Sequence, residues 1–140
     1  MKIDHIAIAV EDLDEAIEHY ARTFGLAPAR RERVEEMGAD TATFELAGAA
    51  IELVQGTSEE SPVGRFVKAR GPGIHNVAFE VEDIERTVAD LKAKGVRLVD
   101  ERPRRGKGGS RVVFIHPGSA QGVLYELVQR PGLGEPGRDP

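Results

Sequence analysis

The stretch KIDHIAIAV (Lys2–Val10) occurs a second time in the chain, in modified form, as IHNVAFEV (Ile74–Val81). Each copy is followed by acidic residues and an amphipathic helical pattern, and each half then ends in the tetrapeptide ELVQ, at Glu52–Gln55 and Glu126–Gln129. The spacing from the early strand to this tetrapeptide is nearly the same in both halves. Such repetition indicates two copies of one structural unit.

The order of predicted elements is βαβββ in each half. We therefore expect an α+β fold in which two βαβββ modules, residues 1–70 and 73–130, pair their mixed sheets around a central cleft. The breaker Gly71-Pro72-Gly73 separates the modules, which together form one domain of residues 1–130. The tail of residues 131–140 has no apolar cluster to pack and is predicted to be disordered.

Composition excludes several classes of function. Among 140 residues, 40% are apolar and none is cysteine, so a core is available, whereas disulfides and thiolate chemistry are not. A net charge of −5 argues against nucleic acid as a partner, although RPRRGKGGSR (Arg102–Arg111) is locally basic. The sequence shows no membrane span and no secretory signal, and the expected location is the cytoplasm.

Strand alternation predicts which side chains face the cleft. The heavy residues of the first strand, Ile6, Ile8 and Val10, should pack under the helix, which leaves His5 on the opposite face. In the second copy the same argument places Asn76 in the cleft and turns His75 away from it, toward the helix layer or the sheet edge. The first helix should begin after Asp12 and bury a stripe formed by Leu13, Ile17, Tyr20 and Phe24.

The two hairpins extend this assignment. If Gly48-Ala49 forms the first turn, Glu45 lies directly across from Glu52. By the same reasoning Glu126 shares a face with Arg111. In the second half we also expect a short strand at Val96–Asp100 and a glycine-rich loop at Arg102–Ser110. Several carboxylates in one cleft would be costly unless a cation were bound there, and without cysteine any metal must use N and O ligands.

Five segments resemble one family: IDHIAIAV, IELVQ, SPVGRFV, GIHNVAFEVEDI and, most specifically, ERPRRGKGGSRVVFIHPGSAQGVLYELVQ (Glu101–Gln129). Together they resemble the vicinal oxygen chelate, or glyoxalase-like, superfamily. Within it they are most similar to the methylmalonyl-CoA epimerases, from Met1 to about Gln129. The resemblance implies paired βαβββ modules around a metal-binding cleft.

The resemblance also implies a divalent ion. Co²⁺ and Mn²⁺ are the first candidates, and Ni²⁺ and Zn²⁺ are the alternatives. Its ligands would be His5, Glu52, Asn76 and Glu126. The family has histidine at the third of these positions, and an amide holds a transition metal more weakly than imidazole does. His75 is the alternative third ligand if a local bulge rotates it inward.

The implied reaction inverts the α-carbon of methylmalonyl-CoA by proton exchange, so the expected partner is an acyl-CoA substrate. Glu126 is the first candidate acid/base and Glu45 or Glu52 the second, because Thr41 stands where some epimerases have glutamate. Arg111, Lys107 and Ser110 are candidates for substrate binding, and relatives suggest a homodimer. The alternatives are a glyoxalase I-like lyase or isomerase and a metal-free small-molecule binding protein, which would explain Asn76.

Overall fold

The computed structural model describes residues 1–27 and 29–132. It divides into two compact units: an N-terminal unit of residues 5–75, and a C-terminal unit that joins residues 1–4 to the chain from Asn76 onward. Most of the tail predicted to be disordered, residues 133–140, lies outside the described residues. None of the helices in the described part of the chain has the length and apolar character needed to cross a membrane.

The secondary structure follows the predicted βαβββ order twice, with one additional helix between the repeats, and the α+β prediction is confirmed. The elements are β1 (Lys2–Ala9), α1 (Leu13–Phe24), β2 (Arg30–Val34), β3 (Ala39–Leu46), β4 (Ala49–Gly56), α2 (Pro62–Arg70), β5 (Gly73–Glu80), α3 (Ile84–Ala93), β6 (Arg104–Arg105), β7 (Arg111–Ile115) and β8 (Tyr125–Gln129).

In the N-terminal unit the strands are ordered β2-β3-β4-β1, with β1 parallel to β4 and the other pairs antiparallel. Helix α1 packs on one face, where Val10, Leu13, Phe44 and Leu53 form a buried cluster. Asp12 caps this helix by accepting from the Glu15 N–H at 3.0 Å. The predicted apolar stripe is correct except at its end, because the side chain of Phe24 is 64% exposed.

The opposite face of this sheet is partly covered by α2. Ala7, Ala9 and Val54 pack there against Val63, with Phe66 and Val67 of the same helix completing the cluster. Alanine on β1 lets the helix approach closely, since larger side chains would hold it off the sheet. The face that strand parity assigned to a cleft therefore has a helix over part of it.

In the C-terminal unit the strands are ordered β5-β8-β7-β6, with β5 parallel to β8 and the other pairs antiparallel. Helix α3 packs on one face through Ile84 and Val88, which are buried against Val113 and Leu127. Phe79 joins this cluster from β5, on the face opposite Asn76.

The strand predicted at Val96–Asp100 is wrong. Leu98 forms only an isolated bridge with Ile115, and the strand β6 forms instead at Arg104–Arg105, within the segment predicted to be a loop. Residues 96–100 start to pair with β7, since the Val99 N–H donates to the Phe114 carbonyl at 2.9 Å. Pro103 has no N–H to continue a ladder, which accounts for the interruption before β6.

The glutamines that end the two ELVQ segments hold the helix N-termini. Gln55 Oε1 accepts from the Leu13 N–H at 2.8 Å, and Gln129 Oε1 accepts from the Ile84 N–H at the same distance. The first N–H groups of a helix have no partner inside it. Each glutamine therefore supplies an acceptor that joins the end of a strand to the start of the helix packed beside it.

Replacing either glutamine with methionine, which has similar size but no amide, is expected to lower the free energy of unfolding by about 1–2 kcal/mol. Urea unfolding of Gln55→Met and Gln129→Met measures the effect. Gln121→Met, in an exposed turn, is the control and should change little. Losses no larger than the control's would show that the two hydrogen bonds contribute nothing to stability.

Candidate functional site

A buried polar pair lies on the N-terminal sheet, on the face that α2 partly covers. His5 Nε2 is 3.6 Å from Glu52 Oε2, and both side chains are about nine-tenths or more buried. Glu52 is in register with Ala7 of β1 on one side and with Thr43 of β3 on the other. The partners of His5 and Glu52 across the β1–β4 pairing, Ala50 and Ala7, have small side chains. The two residues that the repeat singled out in this half thus lie side by side.

The predicted position of Glu45 is wrong. It pairs across the hairpin with Ala50, and Thr43 lies opposite Glu52. The turn consists of Ala47 and Gly48, with φ of 85° at the glycine, rather than Gly48 and Ala49, and this moves the pairing by two positions. The Glu45 carboxylate is exposed and lies 3.2 Å from Arg30.

Thr43 is almost fully buried, so the cross-strand neighbour of Glu52 carries a hydroxyl group instead of a carboxylate. Thr41, further along the same strand, donates its hydroxyl hydrogen to the Glu32 carbonyl at 2.9 Å. That hydroxyl is therefore engaged with the backbone.

His75 packs against a helix, as strand parity allowed. Its ring contacts Phe66 of α2 edge-on, with 5.0 Å between centroids and an interplanar angle of 71°. Burial lowers the pKa of His75, and the negative charge of Glu52 partly offsets that lowering. His75 therefore packs on the helix that covers part of the Glu52 face.

In the C-terminal unit a buried carboxylate occupies the sheet face opposite α3. Glu126 of β8 is 4% exposed and is in register with Ala78 of β5 and Phe114 of β7. Asn76, two residues before Ala78 on β5, points to the same face and is also buried. The prediction that Asn76 and Glu126 lie on the sheet face away from the helix is correct within this unit.

Arg111 does not share the face of Glu126, and that prediction is wrong. It is in register with Gln129, while Phe114 lies opposite Glu126. Arg111 therefore points to the side of α3, where its guanidinium pairs with Glu85. The register decides this, because Arg111 and Gln129 share the face of Leu127, which packs against α3.

Two further candidates lie in the turn before β7. Ser110 is buried and donates its hydroxyl hydrogen to the Lys107 carbonyl at 2.7 Å, which closes the turn Lys107–Gly109. This gives Ser110 a local structural role. The role of Lys107 in substrate binding stays a prediction.

The C-terminal unit also has an open groove of about 990 Å³ whose lining includes Lys2, Glu80, Arg86, Asp90 and Arg130. Four acidic and three basic side chains line it in all. Lys2 pairs with Glu80, and Arg130 makes a bidentate pair with the buried carboxylate of Asp4. The groove therefore contains charges of both signs.

The donors of the His5–Glu52 pair suit a divalent cation. An imidazole nitrogen and a carboxylate oxygen, withdrawn together from solvent, are the ligand types that such ions take in the absence of thiolates. Within the residues that the structure describes, no group of three histidine, cysteine or acidic side chains is arranged to hold a metal ion. The pair thus has the right chemistry but supplies only two ligands.

Comparison with known proteins agrees with this architecture. The model of the glyoxalase/bleomycin resistance protein/dioxygenase superfamily matches residues 4–114. The mitochondrial methylmalonyl-CoA epimerase of Dictyostelium discoideum is 37% identical over 92% of this chain and 78% of its own length.

Solved structures give the same result. The methylmalonyl-CoA epimerase of Mycobacterium tuberculosis is 40% identical, with a TM-score of 0.90 over 94% of this chain and 89% of that one. A methylmalonyl-CoA epimerase in complex with methylmalonyl-CoA and NH4⁺ is 38% identical, with a TM-score of 0.90 over 96% and 98%. Likeness to a lactoylglutathione lyase of Arabidopsis thaliana is weaker, at 27% identity over 94% of this chain and 45% of that protein. The chain therefore belongs to the glyoxalase/bleomycin resistance protein/dioxygenase superfamily.

Proposed function

We propose that this protein is a methylmalonyl-CoA epimerase, an isomerase that interconverts the (2R) and (2S) forms of its substrate. The observation that carries the proposal is the likeness to methylmalonyl-CoA epimerases, at up to 40% identity over more than nine-tenths of the chain. The buried carboxylates Glu52 and Glu126, one in each unit, are the kind of group that the reaction requires.

The chemistry is a proton exchange at the carbon between the thioester and the carboxylate. A base removes the α-proton, and the electron pair of the C–H bond moves into the thioester carbonyl to give an enolate. A proton then returns to the opposite face of the same carbon, so the product differs from the substrate only in configuration. The reaction needs two proton-transfer groups, one on each side of the carbon.

Glu126 is proposed as one of these groups. Its carboxylate is buried, and its neighbour across the sheet on one side is the small residue Ala78. Glu52 is favoured over Glu45 as the second group, because Glu52 is buried beside His5 whereas Glu45 is exposed and paired with Arg30.

A divalent ion is part of the proposal, and Co²⁺ and Mn²⁺ are the first candidates. His5 and Glu52 would hold it from the N-terminal unit, and the resemblance adds Glu126 with Asn76, or His75 as the alternative third ligand. When bound, the ion would stabilise the negative charge of the enolate as a Lewis acid. A homodimer and a cytoplasmic location, both expected from the sequence, stay predictions.

Deuterium incorporation tests the proposed reaction. Incubation of (2R)- or (2S)-methylmalonyl-CoA in D₂O with the protein should place deuterium at the α-carbon and yield both enantiomers. Exchange lost after EDTA dialysis and restored by Co²⁺ or Mn²⁺ would support the metal. If neither enantiomer exchanged with any of these ions, the epimerase proposal would be wrong.

The alternative function is a glyoxalase-like lyase or isomerase. The hemithioacetal of methylglyoxal and glutathione is its test substrate, and formation of a thioester from it without exchange in methylmalonyl-CoA would favour this reading. A protein that binds a small molecule without metal would give neither reaction and no stoichiometric metal after dialysis.

A further inference from the structure

The most basic segment of the chain lies at the outer edge of the C-terminal sheet. Residues 102–111 contain five cationic side chains and no acidic one, in a protein whose net charge is −5. Two of the segment's arginines pair with acidic residues outside it, Arg104 with Asp100 and Arg111 with Glu85. The other basic run, Arg30–Arg33, includes Glu32, and its three arginines pair with Glu45, Asp14 and Asp40. A polyanionic ligand would therefore meet the larger local excess of positive charge at the first of these two runs.

Sheet register places one arginine of this segment on the face of Glu126. Arg104 of β6 is in register with Val112 of β7, which is in register with Val128 of β8. Val128 is two residues beyond Glu126 on the same strand, so Arg104 and Glu126 point to the same side. Arg105, by contrast, lies opposite Arg111 and points to the side of α3.

The separation between the two positions suits a long ligand. Two strand spacings across the sheet and two residues along it put the Cα atoms of Glu126 and Arg104 on the order of 12 Å apart. The arginine side chain extends this span toward solvent. An acyl-CoA has its reactive carbon at one end and its phosphates beyond a long pantetheine arm, so it needs cations at a distance from the catalytic carboxylate.

The charges of this edge are accessible to a phosphate. Arg104 is 3.2 Å from Asp100, but the two side chains are 43% and 35% exposed, and ion pairs of this kind contribute little to stability. Arg102 is exposed and has no ion pair or hydrogen bond from its side chain within the described residues. A phosphate with about two negative charges can therefore compete with Asp100 for Arg104 while also engaging Arg102.

We propose that Arg102 and Arg104, at the edge formed by β6, bind the nucleotide phosphates of the acyl-CoA substrate. The proposal rests on the proposed epimerase function for the identity of the ligand. Arg104 lies on the side of Glu126, whereas Arg111 points to the other face of the sheet. The competing explanation is that charged edge residues only prevent strand pairing between molecules, which predicts no effect on any ligand.

The test compares two substrates in the Arg102→Gln/Arg104→Gln double variant. Methylmalonyl-CoA contains the nucleotide, whereas methylmalonyl-pantetheine has the same reacting end without any phosphate. The native protein should have a lower KM for methylmalonyl-CoA than for methylmalonyl-pantetheine. In the double variant the ratio of these two KM values should change at least tenfold, toward equal KM values. Arg86→Gln is the matched control, because Arg86 is an exposed arginine of the same unit that belongs to α3 and not to the basic segment.

Binding of free CoA, followed by calorimetry, provides a second measurement that needs no turnover. The Kd for CoA should rise at least tenfold in the double variant and stay unchanged in Arg86→Gln. If neither the ratio of the KM values nor the Kd for CoA changed in the double variant, the proposal would be wrong. An equal effect of Arg86→Gln would also overturn it, and so would a native protein that does not bind CoA. If neither thioester is epimerised while CoA binding still depends on Arg102 and Arg104, the epimerase function fails and the phosphate site stands.

Discussion

Glu126→Gln is expected to reduce epimerisation of methylmalonyl-CoA by roughly 10²–10⁴-fold or more, since it removes a carboxylate proposed to transfer the substrate proton. Glutamine has nearly the same size and can be accommodated at a buried position, so the fold should persist. Its amide cannot accept a proton at neutral pH. The rate of deuterium incorporation from D₂O, together with the rate of inversion, measures the loss.

The control is Glu82→Gln, which removes an exposed carboxylate from the same unit and should leave both rates unchanged. Circular dichroism and a thermal melt establish that each variant is folded. A Glu126→Gln protein that is folded and keeps more than about one-tenth of the native rate would contradict the role proposed for Glu126.

Gly64→Ala is expected to lower the free energy of unfolding by at least about 2 kcal/mol. A Cβ at this position would lie 2.0 Å from the Ser58 carbonyl oxygen and 3.0 Å from two backbone atoms of Glu59. The segment cannot move away easily, because the Ser61 hydroxyl donates to the same carbonyl at 2.7 Å and accepts from the Gly64 N–H at 3.1 Å. The gain in helix propensity from alanine, about 1 kcal/mol, is too small to compensate.

Gly73→Ala is the matched control. No atom lies within 4 Å of a Cβ built at Gly73, and its φ is outside the left-handed region, so the change should alter stability by less than about 0.5 kcal/mol. Thermal and urea unfolding of the two variants give the comparison. Equal midpoints would show that the contact between α2 and the Ser58 turn is looser than the structure indicates.

The same close contact matters for the candidate site. Helix α2 covers part of the face on which Glu52 lies, and its Phe66 packs against His75. A variant that pushes α2 outward would expose Glu52 and His75 to water. Gly64→Ala should therefore weaken activity at temperatures well below its own unfolding midpoint.

Much of the fold is local and was predictable from the sequence. Asp12 caps the first helix as the pattern indicated, because the cap and the N–H group that donates to it lie three residues apart in the chain. Alternation along each strand placed His5 and Glu52 on one face and Asn76 and Glu126 on another, because the two-residue period of a strand is fixed by its backbone. The repeat then made these four positions stand out.

Register between strands was not predictable in the same way. A turn at Ala47-Gly48 instead of one residue later moved the pairing by two positions, which put Thr43 rather than Glu45 opposite Glu52. Register likewise placed Arg111 opposite Gln129, on the side of α3. Pairing depends on which residues form each turn. Sequence patterns locate turns only to within a residue or two, which is too coarse for this purpose.

The sequence by itself determined the two βαβββ repeats, the caps and the facing of side chains along each strand, since all of these follow from neighbours in the chain. Only the tertiary structure decided which residues meet: His5 beside Glu52, Gln55 and Gln129 on helix N-termini 42 and 45 positions away, His75 on α2, and Arg104 on the face of Glu126. The physical reason is that contacts between distant segments depend on turn length, close packing and the competition of many partners for each polar group.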